Sequence, residues 1–484
     1  MLGVSAQRTN PERGLIRRTL HLLMGVGVEG ALDLPFVLYL AWHDAEFYGA
    51  VMYGLAAGVI ARKAVRFGLY QPLVQHLGRP DADPTHQVLG RVAAFRLLLL
   101  AGCLTVAALA SFWMPVGLAC LTLVMVAGLG LEGVAETFCA DLRIHGRQRR
   151  EARIRILASL LAYGYGFTSA ALGLPPAAVA AYKLVNAVVL SVGSLRSLER
   201  LPSIELFTRR ARLGLRPILA AATALAAADL LGMAYNKANV FFLQAAAGTR
   251  GVGLYSATWN IVDAVPVLVS QQFLGWVVFP VLAVLWARHP ERALALVRTC
   301  AGWLLVAAAG LAFLLYQESD LMVGLLYPDS YAEAASLQKR LVWAIPLSFE
   351  HNLFVSLMIV AGALRPVVAV AATATVVNLI LNLTLVGPGG LEGACQVIVF
   401  TKLVAASFTA AYCQRRFRLF GWREVAFLSL LCVCACGLFL LLDSALPHHA
   451  SVVTMLAAGG LALWLFGRRW LGSLRGMEAP ASEP

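Results

Sequence analysis

Apolar blocks of about 20 residues or more, separated by short charged segments, recur along the chain and leave it few folds to choose from. A hydrocarbon core takes about 20 helical residues to cross, and no water is present there to satisfy an open backbone. The blocks lie near 16–41, 46–68, 88–111, 113–140, 152–172 and 175–197. A second set follows near 217–243, 252–284, 293–316, 337–363, 366–386 and 391–413, and two more blocks lie near 424–443 and 451–470. Length alone therefore predicts an all-α integral membrane protein of about 14 transmembrane helices. Composition agrees, because 60% of residues are hydrophobic and 13% charged, against roughly 45–50% and 25% in an ordinary soluble domain.

Charge sets the orientation. Most of the 39 Lys and Arg residues fall in alternate loops, which places both termini in the cytoplasm by the positive-inside rule. Only Arg250, Lys339 and Arg340 lie in or beside the loops assigned outside, and the densest inside clusters are 143–155 and 196–216. The net charge of +13 is thus read as topology and lipid contact rather than nucleic-acid binding. The segment before the first block is polar and basic, and that block is too long for a signal-peptide core, so the first span is expected to be retained.

The expected organisation is an N-terminal lobe of six helices (1–198), a cytoplasmic linker (199–216), a C-terminal lobe of six helices (217–413), helices 13 and 14 (414–471) and a cytoplasmic tail (472–484). The linker mixes Ile204, Leu206, Phe207 and Leu213 with basic residues, which fits either an interfacial amphipathic helix or a solvated connection. A faint repeat joins the lobes. Tyr182-Lys183-Leu184-Val185-Asn186-Ala187 closes the first and Thr401-Lys402-Leu403-Val404-Ala405-Ala406 the second, while Tyr48-Gly49-Ala50 and Tyr255-Ser256-Ala257 open helices 2 and 8. Six helices per lobe give a parallel repeat about the membrane normal.

Ionisable side chains at membrane depth are expensive and mark where function is to be sought. Helix 1 carries Glu29 and Asp33, one turn apart, followed by Pro35. Helix 7 carries Asp229, Asn236 and Lys237, helices 6 and 12 carry Lys183 and Lys402, helix 8 carries Asp263, and helix 10 carries Glu350 and His351. The functional reading is a polar cavity between the halves. There Lys183, Lys237, Lys402 and Asn236 bind an anionic head group, and Glu29, Asp33, Asp229, Asp263 and Glu350 serve ion coupling. The structural reading is a set of ion pairs, such as Asp229 or Asp263 with Lys237, or Glu132 and Glu136 with Arg96. His351 reads as a packing residue, and Trp42, Trp113, Trp422 and Trp470 as interface belts.

No cofactor is implied. The nine cysteines lie mostly within apolar blocks, and Cys432, Cys434 and Cys436 spread over different helical faces rather than forming a metal set. No Walker sequence or Gly-rich phosphate loop is present to power a pump. Asp44-Ala45-Glu46 has the acidic-x-acidic spacing of polyprenyl-sugar-dependent membrane glycosyltransferases, but its loop is only a few residues long. The longest outside loop, 317–336, is too small for a catalytic platform. A transporter, not an enzyme, is expected.

Four segments carry a family resemblance: Asn239-Val240-Phe241-Phe242-Leu243 leading into Gly253-Leu254-Tyr255-Ser256-Ala257, the loop 325–334, Val377-Asn378-Leu379-Ile380-Leu381-Asn382-Leu383, and Gly390-Leu391-Glu392-Gly393-Ala394. With the six-plus-six-plus-two layout, the chain resembles the polysaccharide-transport family, the O-antigen and exopolysaccharide repeat-unit flippases, of the multidrug, oligosaccharidyl-lipid and polysaccharide exporter (MOP) superfamily. The resemblance implies translocation of an undecaprenyl-pyrophosphate-linked oligosaccharide from the cytoplasmic to the outer leaflet of a bacterial inner membrane, by alternating access. It also implies membrane lipids and a polymerase and chain-length complex as partners, with the flippase itself a monomer. Lipid II flippases and drug or cation antiporters of the same superfamily are the alternatives. The first half departs from the pattern at His43-Asp44-Ala45-Glu46 and at Arg62-Lys63.

Overall fold

The computed structural model describes residues 11–77, 85–198 and 209–421, with a scattering of residues between 437 and 460. Among these the chain is helical throughout. The elements are α1 (Pro11–His43), α2 (Ala45–Arg66), α3 (Tyr70–Leu77), α4 (Thr85–Ser111), α5 (Val116–Ile144), α6 (Gln148–Ala171), α7 (Pro176–Leu195) and α8 (Arg209–Leu268). A π-helical segment (Val269–Val278) leads into α9 (Phe279–Arg288), followed by α10 (Pro290–Gln317), α11 (Ser319–Leu326) and a 3₁₀ turn (Asp329–Tyr331). Then come α12 (Ala334–Leu341), α13 (Ala344–Val360), α14 (Leu364–Leu381), a second π segment (Asn382–Val386) and α15 (Gly387–Phe417).

Two of these runs hold a break. Gly248 (φ 69°) divides α8 and Gly390 (φ 52°) divides α15, each in the left-handed region that only glycine adopts cheaply. The breaks fall between blocks 217–243 and 252–284 and between 366–386 and 391–413, so the first twelve expected spans each have a helix. The spans at 424–443 and 451–470 lie almost wholly outside the described residues, as does most of the linker, which is helical from Arg209. Among the described residues, seven stretches are long and apolar enough to cross a membrane, and two of them are the 54-residue runs that contain the breaks. Helices α1, α2 and α6 carry more charge, but their 33, 22 and 24 residues also reach the roughly 30 Å required at 1.5 Å per residue. The outward side chains of α4 are apolar as well, with Leu98 61% and Val106 67% exposed. Such a surface is stable against lipid and not against water.

Two connections between spans are themselves structured. The segment after helix 2 holds α3, whose Leu73 packs with Leu69, Val88 and Val92. The outside loop 317–336 is also structured, as α11 and the 3₁₀ turn. Both segments are too short for the length rule to register as helices.

Two compact units emerge. One comprises Met1–Ser256, Leu326–Ser330 and Thr375–Ala394, and the other Ala257–Leu325, Tyr331–Ala374 and Cys395–Pro484. Within the first, α5 is the central element, packed against α2, α4 and α7, while α1 packs on α6. Small residues permit this: at Gly128 of α5 a Cβ would sit 2.7 Å from the Leu184 backbone nitrogen of α7, so only glycine allows the two backbones to approach so closely. Within the second, α10 packs against α13 and α9.

Candidate functional site: two buried lysines over aromatic rings

Lys183 sits on α7, next to that close approach, and its side chain is only 9% exposed. Its Nζ lies 3.7 Å from Asp33 Oδ1 of α1 and donates to Tyr163 Oη of α6 at 3.4 Å. The Tyr163 hydroxyl in turn donates to Asp33 Oδ1 at 2.5 Å. The ammonium also stands 4.9 Å from the Tyr182 ring centroid and 5.5 Å from that of Tyr163, within range of a cation–π attraction. Phe36, fully buried three positions after Asp33, anchors α1 edge-on to Tyr163 and Phe167 and tilted against Tyr182. A positive charge in the low-dielectric interior is thus held by one carboxylate and two aromatic faces. Glu29, one turn before Asp33, is half-buried and close enough to Lys183, Glu132, Arg155 and Arg62 to share their field.

The second unit repeats the theme. Lys402 of α15, again 9% exposed in its side chain, donates to Ser348 Oγ of α13 at 2.9 Å. It lies 3.9 Å from Asp263 Oδ1 and 5.3 Å from the Trp259 ring centroid. Glu350 is half-buried on α13, and His351 Nδ1 lies 3.4 Å from Thr409 Oγ1.

The structure therefore joins four of the residues singled out from sequence into two pairs, Lys183 with Asp33 and Lys402 with Asp263. The remaining pairs differ from those expected. Asp229 bonds Lys63 of α2 at 2.9 Å. Glu132 takes Arg62 at 3.1 Å, Glu136 takes Arg66, and Arg96 instead donates to Gly133 O, Thr137 Oγ1 and Arg66 O. The Arg62-Lys63 pair, unexpected by family resemblance, is accounted for by these carboxylates. Asn236 donates to Gly232 O on its own helix at 2.8 Å, and its buried Oδ1 meets no partner among the described residues. Lys237 is half-buried beside it.

Asp44 serves the backbone: it is the N-cap of α2, its Oδ2 accepting from Phe47 N at 2.8 Å, and Glu46 falls in the first turn, where a negative charge favours the helix dipole. Both are exposed.

Sequence reading missed Ser348, Trp259 and Tyr163 as partners, because each comes from a different helix than the lysine it meets. It also missed what the family motifs do. Asn239, Asn378 and Asn382 are all at most 1% exposed and converge: Asn378 and Asn382 donate to Asn239 Oδ1 at 3.2 and 3.0 Å. Asn239 donates to Ala394 O at 2.7 Å. Three of the four motif segments are thus one hydrogen-bonded knot, and their spacing in sequence is set by packing.

Over residues 45–336 the chain matches the polysaccharide biosynthesis protein family. The chain belongs to that family. No match is found among curated protein sequences. Among solved structures, this family member resembles the lipid II flippase MurJ in an inward closed conformation, with TM-score 0.62 and 12% identity over 95% of this chain and 99% of that one. It also resembles an inward-facing multidrug resistance MATE family transporter of the MOP superfamily, with TM-score 0.59 and 17% identity over 82% and 98%. A MOP superfamily transporter from Pyrococcus furiosus gives TM-score 0.56 and 16% identity over 84% and 96%. These likenesses establish the MOP fold for a multi-pass membrane protein of the polysaccharide biosynthesis family.

Proposed function

We propose that the protein is a flippase that carries a polyprenyl-pyrophosphate-linked oligosaccharide repeat unit from the cytoplasmic to the outer leaflet of a bacterial inner membrane, both termini lying in the cytoplasm. The observation that carries the reading is the buried lysine in each compact unit, held over an aromatic ring beside a partly exposed carboxylate. A buried ammonium costs several kcal/mol in desolvation, and such a cost is sustained where the charge meets a ligand. A pyrophosphate carries the negative charge that each ammonium can receive, and the aromatic rings supply flat apolar faces for sugars. Asp33 and Asp263 hold the lysines while no substrate is present, and exchange of carboxylate for pyrophosphate couples binding to rearrangement. Transport by alternating access between two lobes, 1–198 and 217–413, is what the family resemblance implies. Membership of a polysaccharide biosynthesis family favours an oligosaccharide over a drug or cation as cargo.

The decisive experiment places the purified protein in proteoliposomes loaded with a lipid-linked oligosaccharide and measures cleavage by an external glycosidase. Protein-dependent loss of inner-leaflet protection is expected. Persistent protection with folded protein, native substrate and an imposed ion gradient overturns the flippase reading. The same vesicles loaded with lipid II separate the two substrate classes.

A further inference from the structure

We propose that the arginines at the start of α6 and the end of α7 form a bowl that binds a diphosphate group at the membrane surface, a landing site distinct from the buried lysines. The choice of a lipid-borne diphosphate rests on the flippase reading, whereas the anion chemistry stands on the residues alone. Arg147, Arg149, Arg150 and Arg153, from the start of α6, and Arg196 with Ser197, from the end of α7, line one concavity of about 570 Å³. Two separate stretches of chain thus converge on it, tied by Arg147 Nη1 donating to Ser197 O at 3.3 Å.

The nearby carboxylate is engaged elsewhere. Glu151, fully buried, is clasped by Arg143 at 2.6 and 2.9 Å and by Arg155 at 2.9 Å. This cluster fixes the start of α6 against the end of α5, and no carboxylate is found among the described residues that line the bowl. Arg149, Arg150, Arg153 and Arg196 are exposed and make no ion pair among the described residues. Topology explains why arginines accumulate in inside loops, but not why five of them face one hollow with no carboxylate among its described lining residues. Guanidinium groups match phosphate oxygens bidentately. A phospholipid phosphodiester brings one negative charge to five positive ones, and a diphosphate diester brings two, so charge matching selects the diphosphate.

The test uses the full-length protein in phosphatidylcholine nanodiscs, with geranylgeranyl diphosphate as the probe and binding read by thermophoresis. Two double variants, Arg149→Gln with Arg153→Gln and Arg150→Gln with Arg196→Gln, remove exposed side chains and are checked for unchanged melting. Each is expected to weaken binding roughly tenfold or more. A control removing the same charge elsewhere, Arg288→Gln with Arg292→Gln, is expected to keep wild-type affinity. Unchanged binding in both bowl variants, no binding by the wild type, or an equal loss in the control overturns the assignment. So does one-for-one displacement of the probe by phosphatidylglycerol, which would make the bowl a general anionic-lipid site. The vesicle assay on the wild type reads the flippase proposal separately: bowl-dependent binding without flipping would remove that proposal and leave the bowl standing.

Discussion

Replacing Asp33 by Asn tests whether the ion pair is what holds Lys183 in the membrane. The charges lie 3.7 Å apart, which corresponds to roughly 4–5 kcal/mol at an effective dielectric of about 20. That figure is an upper bound, because the Asp33 side chain is 44% exposed and water screens the pair toward the 1 kcal/mol or less of surface bridges. A coupling of about 1–2 kcal/mol is the expected remainder. Asp33→Asn should then lower the melting temperature by roughly 2–6 °C, since Lys183 stays buried with only tyrosine faces and one hydroxyl. Lys183→Met should cost less, because the carboxylate it abandons is half open to solvent and methionine fills the stem's volume. The double variant should recover most of the Asp33→Asn loss. Melting of all four proteins in one detergent closes a double-mutant cycle, and additivity within about 0.5 kcal/mol would refute the pairing. Flipping measured on the same set separates stability from function: Lys183→Met should fold and fail to transport, and normal transport by it would remove Lys183 from the substrate site.

Lys402→Met is expected to behave likewise, with transport lost and melting within a few degrees of wild type, read in the same two assays. Glu151→Gln should be the most damaging of these changes, because it leaves buried Arg155 and its neighbour Arg143 without their anion, at about 3–5 kcal/mol; wild-type melting would show that the cluster contributes nothing. Gly49→Ala should cost roughly 1–3 kcal/mol, because its Cβ would fall inside the surface of the Thr249 carbonyl and 2.8 Å from Gly253 N, whereas Gly164→Ala, whose Cβ meets open space, should be neutral or slightly stabilising; equal melting of the two variants would show that α2 and α8 do not pack as described. Asn239→Ala should destabilise by about 1–3 kcal/mol by leaving the amide groups of Asn378 and Asn382 short of an acceptor, and unchanged melting would argue against the knot.

How far the sequence is readable depends on the range of the forces involved. Block length and loop charge act locally, so the helices of the first twelve spans, and the breaks at Gly248 and Gly390, follow from the chain itself. Partners across helices do not. The one-turn spacing of Glu29 and Asp33 suggested that they act together, yet Asp33 is taken by Tyr163 and Lys183 because Phe36 seats α1 among the rings of α6 and α7. Asp229 sits one helical face from Lys237 and nevertheless bonds Lys63, 166 residues away. The repeat shows the same division. Lys183 and Lys402 occupy matching places in matching segments, and both are buried over aromatic rings. Their acids come from different places, Asp33 from α1 and Asp263 from the helix after the Gly248 break, and the rings are tyrosines in one case and tryptophan in the other. An ion pair kept only for stability has no reason to hold the cation fixed while its acid and its ring change. Two units that must each present one buried positive charge do, which is why loss of transport with retained folding is the outcome expected of the lysine variants and not of their acidic partners.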